Sequence, residues 1–266
     1  MSSTTAGPDL IDQILRRDRL VVAVGLALLT ALAWGYIIHM SRTMSPGMPA
    51  GMAMPMPGAP TGPELLWLVP MWIVMMVAMM IPSAAPMILL FAGVARQRQV
   101  RQVPTASTAV FTLGYLLVWA LYATIAAVAQ WQLHRLALLS PAMAAASPFL
   151  GGGLLILAGI YQWLPAKGAC LSHCHFPLEF FGNHWREGSW GALRMGLEHG
   201  TYCVGCCWAL MALLFVAGVM NLLWVIAIAV FVLIEKLLPR GRLIGRAAGL
   251  LLIGWGLWLM IGLTPD

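Results

Sequence analysis

All five cysteines of the chain fall between positions 170 and 207, and four of its six histidines, His173, His175, His184 and His199, fall there too. Thiolate and imidazole are soft to borderline ligands, so their crowding into one short segment points to a transition-metal ion such as Cu(I) or Zn(II). In Cys203-Val-Gly-Cys206-Cys207, helical spacing puts positions 203, 206 and 207 on one face, with His199 one turn earlier on the same face. Upstream, Cys170 and Cys174 are four apart, flanked by His173 and His175, and this pair closes a site over the first. The candidate ligands are Cys170, Cys174, Cys203 and Cys206 or Cys207, with His199 or His175 as replacements. Glu179, Glu187 and Glu198 are the acids nearby, too few to serve a hard oxygen-seeking ion. A Cys-x-x-Cys pair also reads as a thiol-disulfide couple, although here it opens a membrane helix instead of following a strand.

Sulfur recurs elsewhere as thioether. Of 18 methionines, Met40, Met44, Met48, Met52, Met54 and Met56 lie in or beside a proline- and glycine-rich stretch that cannot build a core. Thioethers in an exposed loop suit Cu(I), and equally suit a segment resting on a membrane interface. Met71, Met75 and Met79 then recur at four-residue steps, a stripe along one helix face that either relays a soft cation or fills gaps against neighbouring helices.

The elements that position these groups follow from composition. The 266 residues are 61% apolar and 9% charged, with a mean hydropathy of +0.86, too little polar surface for a water-soluble ball. A soluble enzyme domain, a nucleic-acid partner and a disordered scaffold are disfavoured together, and the lipid bilayer becomes the first partner. The expected fold is all-α, a polytopic transmembrane helical bundle. At about 20 residues per crossing, spans fall near 20–38, 65–91, 109–129, 148–164 and 247–263, with a longer apolar tract over 203–238. Read as two spans reversing near Gly218 and Asn221, that tract leaves only Arg42 and Arg135 of the 15 basic residues outside. The prediction is therefore about seven spans, amino terminus in and carboxyl terminus out. Residues 1–19 form a cytoplasmic arm and 20–266 a single transmembrane domain, with a Met-rich outer loop at 40–63 and a Cys/His-rich inner loop at 165–202. On the reducing inner side the thiols serve ligation better than disulfides. The Ala31-Leu32-Ala33 triplet resembles a signal cleavage site, but the apolar run continues past it and fits an uncleaved anchor.

Pro70, Pro82 and Pro86 interrupt the second span and leave backbone carbonyls for neighbours to satisfy. Glu235 and Lys236 are expected to pair at the inner interface. Phe180, Phe181, Trp185 and Trp190 are expected to hold the cysteine segment against the bilayer surface, and Gly151-Gly152-Gly153 to allow close helix approach.

Taken together, Met71-Trp72, Met75, Ala78-Met79-Met80, Pro82-Ser83 and Pro86-Met87, then Cys170-Leu171, Cys174 and Pro177, then Gly200, Tyr202-Cys203, Gly205-Cys206-Cys207-Trp208, Met211 and Met220-Asn221-Leu222 carry a resemblance. The chain resembles the bacterial predicted metal-binding integral membrane proteins (domain of unknown function 2182) over about positions 65–240. Where that family has an arginine after the upstream cysteine, this chain has His175. The resemblance implies a multi-pass protein of the bacterial inner membrane, sometimes labelled a copper chaperone. With the residues it favours Cu(I) handling over zinc, with a metal-donor or acceptor protein or a membrane enzyme as partner. Two rivals stand beside it: a zinc-stapled assembly factor, and a membrane thiol-disulfide oxidoreductase. No nucleotide fingerprint, hydrolase nucleophile or paired-carboxylate site is present, so the balance is against an enzyme.

Overall fold

The computed structural model describes residues 8–43, 62–100, 107–140 and 144–262. Met44, Met48, Met52, Met54 and Met56 lie outside the described residues. In chain order the helices are α1 (Pro8–Thr43), α2 (Gly62–Val100), α3 (Thr108–Arg135), α4 (Pro148–Tyr161), α5 (Pro165–His175), α6 (Pro177–His184), α7 (Gly188–Ala212), α8 (Leu214–Ala217), α9 (Leu222–Leu237) and α10 (Gly241–Ile261). The protein is all-α as expected. Helix α1 already begins at Pro8, so much of the expected arm 1–19 is the first part of that helix. Residues 165–202, expected as a loop, are built of α5, α6 and the first half of α7.

Among the described residues, five stretches are long and apolar enough to cross a membrane: Arg19–Arg42, Leu65–Gln99, Thr108–Arg135, Gly188–Ala217 and Gly241–Ile261. A sixth arises if α4 and α5, bent by 65° at Gln162–Leu164, act as one. Pro165 opens α5 at its first turn, where its missing N–H costs nothing. Helix α9, at 16 residues, spans about 24 Å and falls short of a full crossing by itself. The reversal before it sits where the sequence places it. Gly218 has φ +96°, a conformation open to glycine, and the Asn221 side chain caps α9 by accepting from the Trp224 N–H at 3.2 Å.

Helix directions alternate through the bundle. Trp34 meets Ala78, Trp72 meets Gln130 and Phe91 meets Phe111, so α1, α2 and α3 run antiparallel in turn. Tyr115 meets Cys203 and Tyr122 meets Trp208, so α3 and α7 run parallel. Helices α3 and α7 touch through backbone: a Cβ at Gly114 would strike the Leu193 carbonyl, and one at Gly196 the Phe111 carbonyl. Helices α4 and α10 pack antiparallel by the same device, Gly152 against Gly256 and Gly159 against Gly249. Of the Gly151–Gly153 run, only Gly152 makes such a backbone approach. Gly153 faces open space.

One end of the bundle gathers the basic side chains: Arg98 pairs with Glu187 at 2.5 Å and Arg242 donates to the Gly168 carbonyl at 2.7 Å. Outward faces are apolar, with Leu32, Leu121, Leu157, Leu223 and Leu251 exposed. Phe180 and Phe181 point inward instead, Phe181 lying 5.8 Å from both Phe91 and Phe111, while Trp190 is exposed.

The proline in the middle of α2 is repaired by a neighbour. Pro82 cannot donate to the Ala78 carbonyl four residues back, and the Trp34 indole N–H of α1 donates there at 3.1 Å. Trp34→Phe strands that carbonyl, and the expected cost is about 1–3 kcal/mol of stability, read as a lower melting temperature in detergent. An unchanged melt would show that the carbonyl finds another donor.

Candidate metal centre

The helical face read from the sequence is real. Cys203, Cys206 and Cys207 lie in the middle of α7, each about 1% exposed, and face α2, α3 and α9. The Cys206 and Cys207 thiols both donate to the Cys203 carbonyl, at 3.0 and 2.9 Å. From α5, Cys174 lines a cavity beside them together with His199 and Lys236. Three thiols of α7 thus share one buried region, with the fourth, from α5, on the cavity next to it. They do so inside the bundle, not in a loop at its surface, because α7 starts eleven residues before His199.

Three further elements complete the cluster. Met80 Sδ of α2 lies 4.0 Å from Cys207 Sγ. Tyr115 Oη of α3 is 3.2 Å from both Cys203 Sγ and the Met80 carbonyl oxygen. Lys236 of α9 donates from Nζ to Cys203 Sγ at 2.8 Å and to Ser83 Oγ at 3.2 Å. Beside them is a cavity of about 130 Å³ lined by Ser83, Pro86, Met87, Cys174, His175, His199, Lys236 and Leu237. His199 is buried among aromatic rings, 5.6 Å from Tyr115 and 5.8 Å from Phe180 by ring centres. Its Nδ1 has no hydrogen-bond partner among the described residues.

The remaining predicted ligands are dispersed. Cys170 packs against Gly205, one turn along α5 from Cys174. His175 lines the cavity, and its Nε2 lies 2.8 Å from the Glu235 carbonyl oxygen, to which it donates. His173 is stacked on Tyr202 at 4.0 Å and His184 on Phe180 at 4.9 Å. Met71, Met75 and Met79 are buried, but Met71 and Met75 line a crevice with Met40 and Met220 toward the other end of the bundle. Met71 precedes Met80 by nine residues, about 13 Å along the helix.

Glu235 and Lys236 do not pair with each other. Adjacent residues on a helix project about 100° apart, so the two side chains leave α9 in different directions. Glu235 meets Lys167 of α5 at 2.5 Å, both almost fully buried, and Lys167 also donates to Gln162. Met80, Ser83, Tyr115 and Lys236 are the site residues that sequence spacing did not single out. Met80 and Ser83 stood among the motifs that carry the resemblance and Lys236 was an ionisable side chain in an apolar helix, whereas Tyr115 carried no signal.

Among the described residues, no three His, Cys, Asp or Glu side chains stand arranged around a common point as an ion would require. The donor chemistry nevertheless fits a soft ion: thiols, a thioether and a buried imidazole nitrogen without a partner. Two of the thiols hold their rotamers by donating S–H to a carbonyl. Ligation of a soft ion would take that proton and leave both thiols free to turn.

An all-helical bundle with apolar outward faces and a sulfur-lined interior is the class these observations define. Residues 69–259 match the PpoB2 family, described as copper chaperone, and the chain belongs to it. That range covers Met71 through most of α10, with every residue of the thiol cluster inside it. The family agrees with the resemblance carried by the methionine and cysteine motifs, and it supports a metal-handling role. No curated protein and no solved structure matches the chain.

Proposed function

We propose that this protein binds Cu(I) at the thiol cluster of Cys174, Cys203, Cys206 and Cys207 and passes it to an acceptor protein or membrane enzyme. Three buried thiols and the Met80 thioether in an apolar interior, with Cys174 on the adjoining cavity, carry the reading, because soft sulfur donors favour Cu(I) over hard ions. Cys170, His175 and His199 stand next to this cluster as supplementary ligands. Met71, Met75 and Met79 form the approach from the opposite end, continued by Met40 and Met220. On this reading the protein acts as a carrier.

The same reading sets it in the bacterial cytoplasmic membrane with seven crossings, α4 with α5 being the bent one and α9 the short one. The alternating helix directions and the basic end of the bundle support amino terminus in and carboxyl terminus out. A second reading draws on the ammonium beside Cys203, which favours a reactive thiolate there: dithiol-disulfide cycling with Cys206. It requires a redox state that follows the quinone pool without bound metal.

Protein purified in detergent and loaded with Cu(I) under reducing, anaerobic conditions decides between them. Serine at 203, 206 and 207 together is expected to remove the bound copper, measured by elemental analysis. Unchanged stoichiometry would reject these ligands.

A further inference from the structure

The buried charges beside the thiols do not balance among themselves. Lys167, Glu235 and Lys236 are 3%, 2% and 6% exposed. Glu235 is in direct contact with Lys167, which leaves Lys236 without a carboxylate of its own among the described residues. What faces its ammonium is Cys203 Sγ at 2.8 Å and Ser83 Oγ at 3.2 Å, with Tyr115 and His199 close by. A buried ammonium is costly without an anion. Here the anion on offer is sulfur.

We propose that Lys236 is the specificity-determining counter-ion of the thiol cluster, which sets the site to accept a monovalent soft cation, Cu(I), over a divalent one such as Zn(II). The inference rests on the Cu(I) reading above. Two thiolates around Cu(I) leave one negative charge, and the ammonium cancels it. The same two thiolates around Zn(II) leave none, and the ammonium stays as an uncompensated buried cation. For any fixed set of thiolates, the ammonium repels a divalent ion twice as strongly as a monovalent one. The protonated amine takes no coordination place, so it biases the choice of ion without becoming a ligand. At contact distance in a protein interior, one unit of charge changes a binding ratio by at least about tenfold.

The test uses the full chain in detergent, reduced and anaerobic, with Cu(I) and Zn(II) offered together and both metals counted. Wild type is expected to retain Cu(I). K236M is expected to shift the retained Cu(I):Zn(II) ratio toward zinc by at least about tenfold. K236R keeps the charge and is expected to stay within about threefold of wild type. An unchanged ratio in K236M overturns the proposal. A wild type that retains Zn(II) as readily as Cu(I) overturns it as well, without any variant having to fold. A wild type that retains neither ion instead removes the Cu(I) reading on which the inference stands.

Discussion

Lys167→Met is expected to destabilise the protein by about 3–5 kcal/mol, because it leaves the Glu235 carboxylate buried without its partner. The carboxylate is 2% exposed, and its contact with Lys167 joins α5 to α9. Gly245 of α10 packs directly against Glu235 Oε1, so the carboxylate is closed off on that side and gains no partner there. The effect is read as a fall in melting temperature or in the denaturant needed to unfold the protein in detergent. The double variant Lys167→Met with Glu235→Leu is expected to recover most of the loss, since replacing both ions of a buried pair by apolar groups is often neutral. A single variant as stable as wild type would mean that Glu235 is satisfied in another way.

Gly196→Leu is expected to be comparably severe for a steric reason. Helices α3 and α7 approach until the α7 backbone at Gly196 meets the Phe111 carbonyl, and any Cβ there falls inside the radius of that oxygen. Neither backbone yields without moving its helix, so the cost lies at or above the roughly 1–3 kcal/mol usual for overpacking. The displacement also parts Tyr115 from Cys203, which α3 and α7 hold at 3.2 Å. Copper retention is therefore expected to fall together with thermal stability. Gly153→Ala is the matched control, because nothing lies within 4 Å of the added carbon, and it is expected to leave both unchanged. A Gly196 variant that melts like wild type would show that the crossing tolerates a wider spacing.

The sequence made much of this legible, and the reasons are local. Apolar runs of membrane length appear in composition, and the reversal at Gly218 and Asn221 appears in turn and capping chemistry. The three cysteines of α7 share a face because helix periodicity alone requires it. Pro82 announces an orphaned carbonyl in the same way, although nothing in the spacing says that Trp34 would serve it. What stayed hidden depends on which helices become neighbours. Tyr115 and Met80 join the thiols only because α2, α3 and α7 meet at that depth. Lys236 looked like half of a pair with Glu235 because the two are adjacent in sequence. Their true partners, Cys203 and Lys167, are 33 and 68 positions away. The methionine stripe at 71, 75 and 79 is real as a row, yet Met80, on the adjoining side of α2, is the one beside the thiols.

The parallel pairing of α3 with α7, and the reach of Lys236 back to Ser83 across 153 positions, bear on how the molecule is made. A ribosome must deliver nearly the whole matched region before the last side chain of the cluster can dock. Until α9 has joined, the thiols of α7 lack their ammonium. On the Cu(I) reading proposed above, capture of the ion is then tied to completion of assembly.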